Sequence, residues 1–265
     1  MIKEKLLIIH MDDIGMSYAA NEAATRLFER GIVTSASLLI PCSWSHDFIK
    51  WWSNHKQYDV GVHFTVTCEW DACRWGPVSD KKDVPGLLDD EAFMPRKVNQ
   101  VVERARGDEV ENEMRCQINL AKYWGLEPTH VDRHMWGVTA TPEFFQRYIT
   151  IAKQHGVPPQ ICRDEAKNAS ATPKLDHMIS AGDYVDYKMK KAYLRNVLES
   201  ISPGLTQLTI HPVIETPEIK AIIPSWQQRY MDYMVFMDDE TADIIDELGI
   251  KPVTWSDIAD MRALF

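Results

Sequence analysis

Four short stretches of the chain combine residue types that can do chemistry. The first is His10-Met11-Asp12-Asp13-Ile14-Gly15, where two adjacent carboxylates follow an apolar run. Carboxylates held side by side repel unless a cation neutralises one; at a strand-to-helix turn their other use is to cap the helix. The second is Gly61-Val62-His63-Phe64-Thr65, whose apolar neighbours bury His63 as either a core residue or a ligand. The third is Thr129-His130-Val131-Asp132-Arg133-His134. Strand alternation sets its His130, Asp132 and His134 on one face, with Val131 and Arg133 on the other. The fourth is Leu208-Thr209-Ile210-His211-Pro212, another apolar run that ends in a histidine. His46, His55, His155 and His177 fall in expected helices or loops and read as surface residues. Two imidazoles and a carboxylate can hold a divalent ion with positions open for water and substrate. A second carboxylate can take a proton from the bound water, and a further histidine can protonate a leaving group. Such a set suits metal-assisted hydrolysis. No Gly-x-Ser-x-Gly elbow supports a serine hydrolase, and no Gly-x-Gly-x-x-Gly or P-loop supports nucleotide binding.

For these stretches to meet, the fold must bring the ends of several strands together. Apolar runs of strand length alternate with helical periodicity along the whole chain. Strands are expected over 6–11, 33–40, 60–66, 129–133, 158–163, 206–211 and 251–254. Helices are expected over 19–30, 44–54, 96–124 with a break at Gly107, 142–155, 188–200, 226–248 and behind Ser256. About seven strand–helix units in alternation indicate an α/β protein with a parallel sheet. Their number and the length of the chain predict one domain over 1–265 folded as a TIM-like (β/α) barrel, with a doubly wound open sheet as the alternative. In both, active sites lie where strands end and helix-leading loops begin, which is where the four stretches fall. Two long connections, about 68–95 and 164–187, read as lids or binding loops. Trp70, Trp75, Trp136 and Trp226 fall in or near expected loops.

Composition narrows the classes of function. With a formal net charge of −10, the chain has no broad basic face for nucleic acid. Its 45% hydrophobic content is too high for a disordered chain. No run approaches the roughly 18 apolar residues of a membrane span, and Asp12 and Asp13 cut off the apolar start too early for a signal peptide. The five cysteines form no Cys-x-x-Cys pair, so neither a disulfide framework nor a zinc ribbon is expected. A cytoplasmic protein follows from these readings. Its oligomeric state is open, a homo-oligomer included.

In order along the chain, several motifs resemble the YdjC-like carbohydrate deacetylases, a family that includes chitooligosaccharide deacetylases. They are Asp12-Asp13-Ile14-Gly15, Asn21, Gly31-Ile32-Val33-Thr34-Ser35-Ala36-Ser37, Gly61-Val62-His63-Phe64-Thr65, Asp132-Arg133-His134, Arg163, His211-Pro212, and Arg229 with Asp232. The resemblance spans residue 8 to about 232. It implies a TIM-like barrel that hydrolyses N-acetyl groups on an amino sugar or small oligosaccharide. It also implies one divalent metal ion, magnesium or zinc, held by Asp13, His63 and His134. Asp12 would be the general base, His211 the acid, and Arg163 and Trp136 substrate contacts. The chain departs from the family at Arg133, where a serine is usual, at Trp136 in place of a second histidine, at Val213 in place of glycine, and at His10 in place of asparagine. Two other readings keep the metal: a sugar-phosphate isomerase or phosphoesterase, and a non-catalytic sugar-binding relative.

Overall fold

The computed structural model describes residues 2–165 and 173–260. Its centre is β1 (Lys5–Ile14), an almost wholly buried strand. The apolar run that forms it is what a strand covered on both faces requires. The other strands are β2 (Ser35–Leu38), β3 (Asp59–Phe64), β4 (Val131–Arg133), β5 (His177–Ser180), β6 (Gly204–Ile210) and β7 (Ile250–Pro252). All pair in parallel in the order β4-β3-β2-β1-β6-β5, and β7 pairs with the start of β1.

Around the sheet run α1 (Tyr18–Arg30), α2 (Ser45–Trp52), α3 (Val98–Arg104), α4 (Gly107–Tyr123), α5 (Pro142–His155), α6 (Tyr187–Glu199), α7 (Pro217–Ile222), α8 (Trp226–Met237), α9 (Asp239–Glu247) and α10 (Trp255–Asp260). Their ends follow local chemistry. Ser17 caps α1 by accepting the Ala20 N–H, and Gly31 closes that helix in the left-handed conformation. Thr141 caps α5, with Pro142 in its first turn. None of the helices among the described residues is long and apolar enough to cross a membrane.

Strand alternation sorts β1 into two faces. Leu7, Ile9 and Met11 join the main core with the apolar faces of the helices. Leu6 and Ile8 point the other way, into a smaller cluster with Leu205, Val253, Trp255 and Ile258. That inner face continues to His10 and Asp12. Trp255 thus fills the interior near the start of β1, and the polar residues lie towards the strand ends.

The α/β class and parallel sheet agree with the sequence reading, but the sheet is not a fully paired TIM ring. Between β4 and β5 the ladder is replaced by two isolated parallel bridges, Val131↔Pro159 and Cys162↔Leu175. Pro158 has no N–H to donate at the start of the expected strand 158–163, and beyond the bridge the Cys162 N–H donates to Glu165 Oε2 at 2.9 Å instead of to β4, so the ladder does not continue. The fifth strand is instead His177–Ser180, inside a segment expected to be a long connection; residues 166–172 of that segment lie outside the described residues. The expected helix 226–248 is split at Asp238, whose extended backbone ends α8 and whose side chain caps α9. The helix expected over 96–124 divides at Ala105 and Arg106, where the backbone is extended.

Candidate metal-binding active site

Two adjacent residues of a regular strand point to opposite faces, yet Asp12 and Asp13 both line one cavity of about 380 Å³ at the strand ends. A break in the β1–β2 register between Met11 and Ile14 makes this happen. At the break Asp13 takes φ 63°, a left-handed conformation rare outside glycine, and such a bulge re-aims a side chain. The strain is of order 1–3 kcal/mol and is typical of functional sites. Gly15 completes the turn at φ 89°. A β-carbon there would lie 2.2 Å from Ser45 Oγ, and its N–H donates to Asn21 Oδ1 at 2.9 Å. The Asp-Asp-x-Gly stretch and Asn21 are therefore one structural unit.

His63 comes from β3, His134 opens a 3-10 turn after β4, and His211 follows β6. The structure brings all three to the cavity. Asp13 Oδ1 lies 3.1 Å from His134 Nδ1 and 3.5 Å from His63 Nε2, while Asp13 Oδ2 accepts from Arg229 at 2.8 Å. One carboxylate oxygen therefore faces the arginine and the other faces the two imidazoles. Each imidazole is held from behind by another carboxylate: His63 Nδ1 lies 2.7 Å from Asp132 Oδ1, and His134 Nε2 lies 3.0 Å from Glu69 Oε2. Ligand histidines in metal sites are oriented in this way.

Asp12 sits beside this cluster. Its Oδ2 is 3.8 Å from His211 Nε2. Its Oδ1 is 3.1 Å from His10 Nε2, an ionic contact without hydrogen-bond alignment. The His10 ring instead bonds Asp132 Oδ2 at 2.9 Å, and Ser37 Oγ donates to that same oxygen at 2.7 Å. His211 is fixed through its main-chain N–H, which donates to Asp232 Oδ2 at 2.9 Å. Asp232 is in turn paired with Lys190, a lysine wholly buried under α8.

The electrostatics favour positive charge at this spot. Burial works against the His134 imidazolium, but Glu69 and Asp13 outweigh it and lift its pKa to about 9. Burial likewise opposes the charged form of His63, and Asp132, Asp12 and Asp13 push it well above the usual histidine range. Burial would raise Asp13, but Arg229, His134 and His63 hold it well below the usual carboxylate range. Asp13, His63 and His134 offer donor atoms within 4.8 Å of one another. Two imidazoles, one carboxylate and a ring of further carboxylates fit a divalent cation.

Two other groups have similar spacing, His10–His130–Asp132 and Asp12–His63–Asp132. Both depend on Asp132, whose oxygens are already engaged by His63, His10 and Ser37. His130 belongs to the interior: it lies under Gly61 and stacks on Trp255 at 5.2 Å. The face expected to carry His130, Asp132 and His134 therefore breaks up into an interior residue, an orienting carboxylate and a cavity residue.

Of the expected substrate contacts, Trp136 lines the cavity. Arg163 does not; it pairs with Asp176 in a neighbouring cavity of about 610 Å³. Trp75 is buried, Trp70 lies under Arg229, and Trp226 stacks with Lys220. The expected lid over 68–95 is braced: Arg74 donates to Cys68 O and Met94 O, and Trp75 Nε1 to Thr67 O. Glu69 was not foreseen, since a lone acid at the start of a loop carries no periodic signal. Asp132 was expected on one face with His130 and His134, not as the carboxylate that orients His63 and His10.

The sequence pattern described as YdjC-like protein matches residues 6–247 of the chain. A carbohydrate deacetylase of Thermus thermophilus is 28% identical, the match covering 98% of this chain and 96% of that protein. A chitooligosaccharide deacetylase of Yersinia enterocolitica is 23% identical, covering 96% and 99%. Among solved structures, a candidate cellobiose-phosphate cleavage protein of Enterococcus faecalis superposes with a TM-score of 0.86 at 20% identity, covering 96% of this chain and 99% of that one. A peptidoglycan N-acetylglucosamine deacetylase gives 0.53 at 11% identity, covering 97% and 89%. The structural likenesses establish a shared fold, and the pattern match over residues 6–247 establishes more: the chain belongs to the YdjC-like protein family.

Proposed function

We propose that this protein is a metal-dependent hydrolase that removes the N-acetyl group from an amino sugar or small oligosaccharide. The observation that carries the reading is the meeting of Asp13, His63 and His134 with Asp12 and His211 in one cavity. The names of the relatives, carbohydrate and chitooligosaccharide deacetylase, point the same way.

Asp13, His63 and His134 would hold the ion, and the two imidazoles favour zinc over magnesium. A divalent ion there would supply Lewis acidity towards the acetyl carbonyl and the attacking water. Asp12 takes the proton from the attacking water, its second oxygen kept in place beside His10. The new C–O bond forms, the C–N bond breaks, acetate leaves, and His211 delivers a proton to the departing amine. Arg229 keeps Asp13 ionised and fixes which of its oxygens faces the histidines. Trp136 offers its ring to a sugar face. Arg163 contacts a longer oligosaccharide, because its cavity shares Met178 and Ile179 with the site.

Metal content of the purified protein, measured alongside acetate and phosphate release from acetylated and phosphorylated sugars, tests this reading. One divalent ion and acetate release support it. Phosphate release without acetate would move the chain to the phosphoesterase class, and metal with neither product to the sugar-binding class.

A further inference from the structure

Two neighbouring residues of the loop after β3 reach the Asp13–His63–His134 cluster from different sides. Glu69 Oε2 lies 3.0 Å from His134 Nε2. Trp70 turns its ring to Arg229, whose guanidinium carbon stands 5.5 Å from the ring centroid, and Arg229 donates to Asp13 Oδ2 at 2.8 Å. The stretch that carries them is tied down on both sides. The Cys68 N–H donates to Pro95 O at 2.8 Å, and the Cys68 carbonyl accepts from Arg74 at 2.7 Å. The Cys68 thiol donates to Cys73 O at 3.4 Å, and its sulfur accepts the Trp75 N–H at 3.2 Å. Trp75 is buried with its ring edge-on to His134, the centroids 6.3 Å apart. Glu69 and Trp70 therefore project from a backbone held by its own hydrogen bonds.

A neutral imidazole has one N–H and one lone pair, and the nitrogen that gives its hydrogen to a partner leaves the other for a metal. The two histidines are engaged at different nitrogens. His63 turns Nδ1 to Asp132 at 2.7 Å, which leaves Nε2, 3.5 Å from Asp13 Oδ1. His134 turns Nε2 to Glu69, which leaves Nδ1, 3.1 Å from the same Asp13 oxygen. The two remaining nitrogens thus converge on Asp13 Oδ1, while Arg229 takes Asp13 Oδ2. Glu69 stands across the His134 ring from that point, so it acts through the histidine and not as a ligand itself.

We propose that Glu69 and Trp70 are positioning residues for the metal: Glu69 commits His134 to bind through Nδ1 while His63 binds through Nε2, and Trp70 holds the arginine that turns Asp13 towards them. This rests on the metal reading of the site and extends it from which residues bind the ion to which atoms do.

The test is long-range proton–nitrogen NMR of the histidine rings in zinc-loaded protein, with zinc affinity measured by competition against a chelating dye. In wild type, His134 should carry its N–H at Nε2 and zinc at Nδ1, and His63 the reverse. Glu69→Gln retains an acceptor and should retain that pattern with an affinity near wild type. Glu69→Leu removes the acceptor and should bind zinc about ten-fold or more weakly, the usual scale for losing such a partner. Trp70→Phe keeps an aromatic face under Arg229 and should stay near wild type, whereas Trp70→Leu should weaken binding about three-fold or more. Circular dichroism and urea midpoints establish that each variant is folded, and the wild-type spectrum depends on no variant. Zinc on His134 Nε2 in wild type, or wild-type affinity in folded Glu69→Leu or Trp70→Leu, would overturn the assignment while the metal reading stands. No zinc bound by wild type would overturn both.

Discussion

Asp12 and Asp13 are neighbours with different surroundings, and the difference predicts different defects. Asp13 faces two imidazoles and an arginine, so Asp13→Asn should weaken metal binding first, with activity partly restored by excess metal. Asp12 faces His211 and His10, so Asp12→Asn should keep the metal and lose about a hundred-fold or more in turnover, the usual scale for a general base. Metal titration during an acetate-release assay separates the two, and near-normal turnover of Asp12→Asn at saturating metal would reassign the base to His211. The histidines add a pH dependence. A ligand imidazole must be neutral, and His134 holds its proton up to about pH 9 in the metal-free protein. Protons therefore compete with the ion below that pH. Apparent metal affinity should climb from pH 6.5 towards 9, by about ten-fold per unit for each proton displaced. Binding in a weakly buffered solution should release protons; a pH-independent affinity with no proton release would contradict the charge assigned to His134.

At the scale of elements, the site depends on a bulge, a turn and a buried ion pair. Gly15→Ala would place a β-carbon against Ser45 at a backbone angle that alanine resists. It should destabilise the fold by about 2 kcal/mol or more, measurable by urea denaturation, and displace Asp13 from the histidines. Lys190→Met would leave Asp232 buried without its cation; breaking such a pair typically costs about 3–5 kcal/mol. Because Asp232 also holds the His211 N–H, turnover should fall more than metal affinity does. Wild-type stability in Lys190→Met would show that the pair is not the tie proposed. These elements differ in how far the sequence announced them. The strands carrying Asp12, His63 and His211 were legible because each is an apolar run ending in polar residues. β5 was not: His177–Ser180 is four residues long, partly exposed, and set in a polar stretch. The bulge at Asp13 was not either, since no residue type marks a register break, and Glu69 reaches His134 from a loop.

The whole molecule is a parallel α/β sheet whose inner face changes character along its length. Leu6, Ile8 and Trp255 fill one end, and His10, Asp12 and the histidine cluster occupy the other. The number of strand–helix units suggested a closed ring, but between β4 and β5 isolated bridges stand in place of a ladder. That interruption is also where Gln160 meets the cavity. The central claim is that an ion held by Asp13, His63 and His134 is required for deacetylation. The most direct measurement is acetate release from an N-acetylated amino-sugar oligosaccharide by protein stripped with a chelator and then titrated with zinc or magnesium. The account predicts negligible release from the stripped protein and recovery that saturates at one equivalent of bound metal, with recovery lost in His63→Ala and His134→Ala. Full release by the stripped protein, or full recovery in both histidine variants, would contradict it.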